Sequence, residues 1–194
     1  MKIGIFGGTF NPVHNGHVRL AENFKEELNL DKLLIIPTAV PPHKEAENIA
    51  SGEDRLKMCE LAFENIGEVS DIEISRGGRS YTVETLESLK EIYTDAEFYF
   101  LVGSDMLLCF RRWYRYEDIL SMCTLCATDR DNEKTCRDAD SELFEKIIFC
   151  DFPKTVVSSS EVREKLAKKE DISCLVPPKV EKYIKEKGLY NVCI

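Results

Sequence analysis

Apolar positions along this chain fall into short runs of two kinds: continuous or alternating stretches, and stripes at helical spacing. Ile3, Ile5 and Phe6 form the first stretch, and Val18, Leu20, Ala21 and Phe24 follow it at helical spacing. Lys32-Leu-Leu-Ile-Ile-Pro37 reads as a strand buried on both faces. Residues 51–66 predict a helix with Leu56, Cys59, Leu61 and Ala62 inward, and the alternation over 69–74 predicts a strand. After a loop over 76–81, Thr82 caps a helix reaching about residue 93, with Val83, Leu86, Leu89 and Ile92 as its stripe. Phe98-Tyr-Phe-Leu-Val102 is the next buried strand, closed by Gly103-Ser-Asp105. Short helices follow over 106–110 and 116–122, then strands over 123–128 and 147–149. Between those strands lies a polar loop, 129–141, entering a helix near Leu143 and Phe144. Ser158-Ser-Ser-Glu161 opens a helix to about residue 169, and Pro177 opens a last helix that Gly188 stops. Strand and helix alternate throughout, which predicts an α/β fold with a doubly wound, mostly parallel sheet flanked by helices. With 194 residues and no internal repeat, residues 1–194 read as a single domain.

Composition narrows the function classes. The chain is 43% hydrophobic and 31% charged, with no apolar run long enough to span a bilayer and no signal peptide, so the expected setting is cytoplasmic. A net charge of −9 argues against sequence-independent nucleic-acid binding, so a bound polyphosphate must rely on local cations and helix ends. The eight cysteines repeat no framework, and Cys123-Thr-Leu-Cys126 lacks the second pair a zinc knuckle needs; core packing is the expected role. The chain leaves the oligomer open, a homo-oligomer through an exposed terminal strand or helix included.

The first twenty residues carry the densest chemistry. A short strand runs into Gly7 and Gly8, which leave the backbone bare for a ligand, and then into a helix bearing His14 and His17 on one face. Such a turn at the carboxyl edge of a parallel sheet is where α/β proteins bind ligands, and the helix start attracts phosphate. The glycines fit neither G-x-G-x-x-G nor a Walker A loop. Towards the other end, Val157-Ser-Ser-Ser-Glu-Val-Arg163 places a capping box, Ser158 with Glu161, beneath three successive hydroxyls, and Arg163 stands one turn after Ser159. Two helix starts facing phosphate suit a triphosphate better than a monophosphate. Asp105 reads equally as a helix cap or as an acceptor for a ribose hydroxyl.

Phe6-Gly-Gly-Thr-Phe-Asn-Pro12 followed by His14-Asn-Gly-His17 resembles the signature of the H-x-G-H nucleotidyltransferase superfamily, with its Rossmann-like fold. The triple-serine segment is similar to the superfamily's Ile-Ser-Ser-Thr-x-Ile-Arg motif, with Val157 and Val162 for isoleucine and Ser160 for threonine. The 38–44 loop with Pro-Pro-His-Lys44, Ser80-Tyr-Thr-Val-Glu-Thr-Leu86, Trp113-Tyr-Arg-Tyr116 and Leu175-Val-Pro-Pro178 resemble the bacterial nicotinate-nucleotide adenylyltransferases. The resemblance covers nearly the whole chain except 129–141.

That resemblance implies transfer of the adenylyl group of ATP to nicotinate mononucleotide. It implies an ATP site of Gly7, Gly8, Thr9, Phe10, Gly16, Gly103, Asp105, Ser158, Ser159 and Ser160. His14, His17 and Arg163 are the expected catalytic residues, on the α and β phosphates and the leaving pyrophosphate. For the acceptor it implies Lys44 on the phosphate, Trp113 stacked on the pyridine ring, and Tyr81, Thr82 and Val83 at a helix start whose free N–H groups prefer a carboxylate to an amide. Mg²⁺ is expected as a cofactor held by ATP phosphates and water, with no protein metal site. The rival readings are an adenylyltransferase for nicotinamide mononucleotide or phosphopantetheine, and a non-catalytic nucleotide-binding protein.

Overall fold

The computed structural model describes residues 1–40, 49–107, 109–128, 143, 145, 147–150 and 157–190. Its centre is β1 (Lys2–Gly8), paired on one side with β2 (Lys32–Pro37) and on the other with β4 (Glu97–Val102). The sheet continues outward to β3 (Glu68–Val69), and on the other flank to β5 (Cys123–Thr128) and β6 (Ile147–Cys150). The order is β3-β2-β1-β4-β5-β6, and every pairing is parallel. The direction of winding reverses between β1 and β4, so a crevice opens at their carboxyl ends.

Helices cover both faces. On one, Phe6, Phe24, Phe63, Val162 and Ile184 share a core that joins β1 to α1 (Asn15–Glu27), α2 (Gly52–Phe63), α7 (Ser159–Ala167) and α8 (Pro178–Lys187). On the other, Ile3, Ile5, Leu86 and Ile119 form a core with α4 (Thr82–Ile92) and α6 (Tyr116–Met122). Gly4 permits the first packing, because a Cβ there would come 2.4 Å from Leu30 Cδ1. No helix among the described residues is long and apolar enough to cross a membrane.

The expected strand over 69–74 is mostly absent. Only Glu68–Val69 pairs, and α3 (Ile72–Arg76) follows at once. Ile72 and Ile74 mimic a strand's period of two, but Ser75 Oγ bonds Asp71 Oδ2 at 2.5 Å across one helical turn and Glu73 is drawn inward. In α2 the inward set is Arg55, Met58, Cys59 and Phe63, so Cys59 alone of the expected residues is fully buried. Ile92, at the last position of α4, is exposed. The expected helix over 106–110 is α5 (Ser104–Leu107), followed by a 3₁₀ turn at Phe110–Arg112. The 129–141 loop and Phe144 lie outside the described residues.

Candidate active site

The helix α1 begins one residue after His14, which is its N-cap; His17 is the third helical residue. The two side chains cap each other's backbone: His14 N–H donates to His17 Nδ1 at 3.2 Å, and His17 N–H donates to His14 Nδ1 at 3.3 Å. The rings stack with centroids 3.6 Å apart. Because each Nδ1 accepts, the proton of each neutral ring sits on Nε2, which is left as a donor. Burial holds His14 down to about 4, and burial followed by its neighbour's charge holds His17 well below its ordinary value. At neutral pH both are therefore uncharged donors with a fixed tautomer. Beneath them lies Phe10, edge-on to His17 at 5.0 Å and to Phe6 at 5.3 Å.

The second helix start meets this turn directly. Ser158 Oγ accepts from Glu161 N–H at 3.1 Å, which caps α7. Ser159 Oγ donates to Pro12 O at 2.9 Å, and Arg163 donates to Asn11 O at 2.7 Å and to Ser160 Oγ at 3.3 Å. The guanidinium carries five N–H groups, so donors remain for a ligand. Asn15 N–H and Nδ2 bond Leu175 O and Cys174 O, which brings the segment before α8 to the same place. The amino-terminal turn and the triple-serine turn thus form one end of a site, with two helix starts and a cation.

Beside them a cleft of about 520 Å³ opens at the carboxyl edge of β1, floored by Gly7, Gly8 and Ile36. Tyr81, Thr82 and Trp113 stand in its wall. Tyr81 is the N-cap of α4 and supplies no side-chain cap, so the first N–H groups of that helix stay open. Trp113 is edge-on to Phe100 at 6.2 Å and tilted on Phe110 at 5.2 Å. At the mouth, the rings of Tyr81 and Tyr114 meet at a tilt, with centroids 5.0 Å apart.

Comparison with known proteins agrees with this geometry. The cytidylyltransferase-like family model matches residues 5–165. A protein named probable nicotinate-nucleotide adenylyltransferase from Listeria monocytogenes is 37% identical over 192 residues, 98% of this chain and 97% of that one. One of the same name from Fusobacterium nucleatum is 40% identical over 191 residues, 96% and 98% of the two chains. The chain belongs to the nicotinate-nucleotide adenylyltransferase family. The solved structure of Plasmodium falciparum nicotinic acid mononucleotide adenylyltransferase complexed with NaAD shares the fold, with a TM-score of 0.81 at 21% identity over 98% of this chain and 97% of that one.

The adenylyltransferase motifs do not all lie where their sequence suggests. Phe10 is 2% exposed, so its side chain is core and only its backbone, held at φ 49, can face a nucleotide. A Cβ on Gly8 would come 3.0 Å from the Phe10 ring, so that glycine serves packing as well as approach, whereas Gly7 is open towards Phe100. Gly16 is buried in the first turn of α1, and Val83 is fully buried, leaving its backbone alone for a ligand. Thr82 is the first residue of α4, not its cap. The helix α5 begins at Ser104, so Asp105 is its second residue and not the residue before its start; Gly103 O accepts from Met106 N–H at 3.0 Å. Lys44 lies outside the described residues, as does the Pro-Pro-His segment beside it.

Three residues that sequence reasoning passed over organise this site. Arg55, 1% exposed, donates to Thr9 O at 3.0 Å, Thr38 O at 2.6 Å, Ala39 O at 3.0 Å and Ala50 O at 3.1 Å, tying the turns after β1 and β2 together. Its one signal is an arginine in register with Met58 and Cys59 on an inward face. Asn11 Oδ1 accepts from Ala50 N–H at 3.0 Å and Tyr190 O–H at 2.8 Å. An Asn before Pro reads only as a turn. The third is Glu73, buried next to α4.

Proposed function

We propose that this protein transfers the adenylyl group of ATP to nicotinate mononucleotide, releasing pyrophosphate and forming nicotinate adenine dinucleotide in NAD biosynthesis. The observation that carries the reading is the meeting of the His14–His17 turn with the Ser158–Arg163 turn through bonds to Asn11 O and Pro12 O. A triphosphate spanning both helix starts places its α phosphorus at the edge of the cleft that takes the acceptor. An ionised phosphate oxygen of the acceptor then attacks that phosphorus. The bond to the bridging oxygen breaks, and pyrophosphate leaves with the electron pair. Catalysis is positioning and charge stabilisation: the Nε2–H donors of His14 and His17 follow the phosphoryl oxygens, and Arg163 with the α7 start holds the departing pyrophosphate.

In the acceptor half, Trp113 stacks on the pyridine ring and Tyr81, Thr82 and Val83 present the N–H groups of α4 to its carboxylate. Asp105 receives the ribose, and Lys44 receives the acceptor's phosphate. Mg²⁺ would be held by phosphate oxygens of ATP and by water, and would neutralise charge on the phosphates. The histidines do not fit as its ligands, since their free nitrogens bear protons.

The test is an acceptor panel. Purified protein with ATP and Mg²⁺ is expected to release pyrophosphate fastest with nicotinate mononucleotide, more slowly with nicotinamide mononucleotide, and not with phosphopantetheine. A reversed order would give the acceptor assignment to a rival, and silence with every acceptor would leave a nucleotide-binding protein without catalysis.

A further inference from the structure

Among the described residues, three buried side-chain polar atoms lack a hydrogen-bond partner: Thr38 Oγ1, Glu73 Oε2 and Trp113 Nε1. All three residues line the acceptor cleft. Buried polar groups are nearly always paired, so a cluster of orphans in one cavity describes a ligand by its missing partners. Trp113 Nε1 asks for an acceptor and Thr38 takes either kind. Glu73 is the informative member. It is 7% exposed and sits on α3, and its Oε1 accepts from Thr85 Oγ1 at 2.7 Å. Thr85 in turn accepts from Arg76 at 3.0 Å, and of the two acceptors within reach of its one proton, Oε1 at 2.7 Å is nearer than Tyr81 O at 3.4 Å. Ser80 stands beside the carboxyl; its Oγ accepts from Ala39 N–H at 2.9 Å and keeps its own O–H proton, yet no hydrogen bond of normal geometry reaches Oε2.

Thr85 stands one turn into α4, below the open N–H groups at Thr82 and Val83. An anion drawn to that helix start meets Glu73 Oε2 in the same cavity. Two carboxyl groups so placed share one proton, because like charges at short range cannot both stay ionised. We propose that Glu73 is a specificity-determining residue of the acceptor site: with the acceptor bound it is protonated and donates Oε2–H to the acceptor's carboxylate. This rests on the reading that the acceptor is an acid. Burial pushes the Glu73 carboxyl up, against the pull of Ser80, Thr85, Arg76 and Arg55, which are the hydroxyls and cations that face it. An amide acceptor instead offers its NH₂ to an ionised Glu73. Acid binding therefore takes up a proton from solvent where Glu73 is ionised in the free protein, and amide binding does not.

The experiment is titration calorimetry of the whole protein with nicotinate and nicotinamide mononucleotides, in buffers of different ionisation enthalpy. Values of about pH 8.5 and above leave the ligand phosphate and both histidines without a proton to exchange. The acid is expected to take up as much as about one proton per site and the amide none. In parallel, the acid-to-amide ratio of kcat/KM falls with rising pH, by as much as about tenfold per unit. Glu73→Gln, which keeps a donor at Oε2 and an acceptor for Thr85, loses both the uptake and the slope while melting near the wild type. If Glu73→Gln melts far lower, the acid–amide difference in the wild type decides alone. Normal turnover of the acid with no proton uptake at any pH, or an unchanged slope in Glu73→Gln, overturns the role of Glu73 and leaves the acceptor assignment standing. Failure to bind or adenylate the acid overturns both.

Discussion

At the scale of single residues the site depends on histidines that serve the backbone and the ligand with different nitrogens. Each Nδ1 caps α1, and each Nε2–H is left for phosphate. The spacing of His14 and His17 made their shared face legible in sequence. Their mutual capping was not, because caps are commonly oxygen-bearing side chains. His17→Ala is expected to cut turnover by about 10²–10³-fold, the usual cost of a donor to developing charge, with ATP affinity changed little. Unchanged turnover in steady-state kinetics would remove His17 from the mechanism. His14 adds a pH signature. Its folded value of about 4 lies below the ordinary 6.5, so between these values the unfolded chain binds its proton more readily. Its contribution to stability is complete above 6.5 and is lost as pH falls towards 4. Melting temperature plotted against pH is therefore expected to fall less steeply in that window for His14→Asn, which keeps a capping side chain, than for the wild type.

At the scale of elements, patterns of hydrophobic residues placed five of the six strands, and all the long helices, among the described residues to within a few positions. They failed at 69–74, where Ile72 and Ile74 imitate a strand while Glu73 between them is held by Thr85 of another helix. No local pattern contains that contact. The same limit hid Arg55, whose four carbonyl partners come from loops up to 46 residues away. The Ser158–Ser160 run was legible as a helix start; the bond from Ser159 to Pro12 O, 147 positions distant, was not. That bond is what aims α7 at the histidine turn. Ser159→Ala removes about 1 kcal/mol of net hydrogen bonding and loosens α7 from the turn. The expected result is a rise of about fivefold in KM for ATP, with KM for the acceptor nearly constant. Equal changes in both constants would show that α7 does not address the nucleotide alone.

At the scale of the whole molecule the site exists only because both ends of the chain return to one edge of the sheet. The strand order turns back between β1 and β4, so the crevice falls beside β1, and α7 and α8 close over the same side from the other end of the sequence. Asn11 fastens the arrangement, joining Arg163 of α7, Tyr190 after α8 and Ala50 before α2. A ligand bridging the two helix starts must therefore steady segments some 150 residues apart at once. Hydrogen exchange with a non-hydrolysable ATP analogue is expected to slow the amides of 9–17 and of 158–163 together and to the same ligand concentration. The acceptor should instead protect 80–83 and quench the fluorescence of Trp113, the single tryptophan. Protection confined to one of the two phosphate-facing turns would mean that the contacts to Asn11 and Pro12 are structural only. The triphosphate would then be held from one side, and in-line transfer to an acceptor in the cleft would lose the alignment on which it depends.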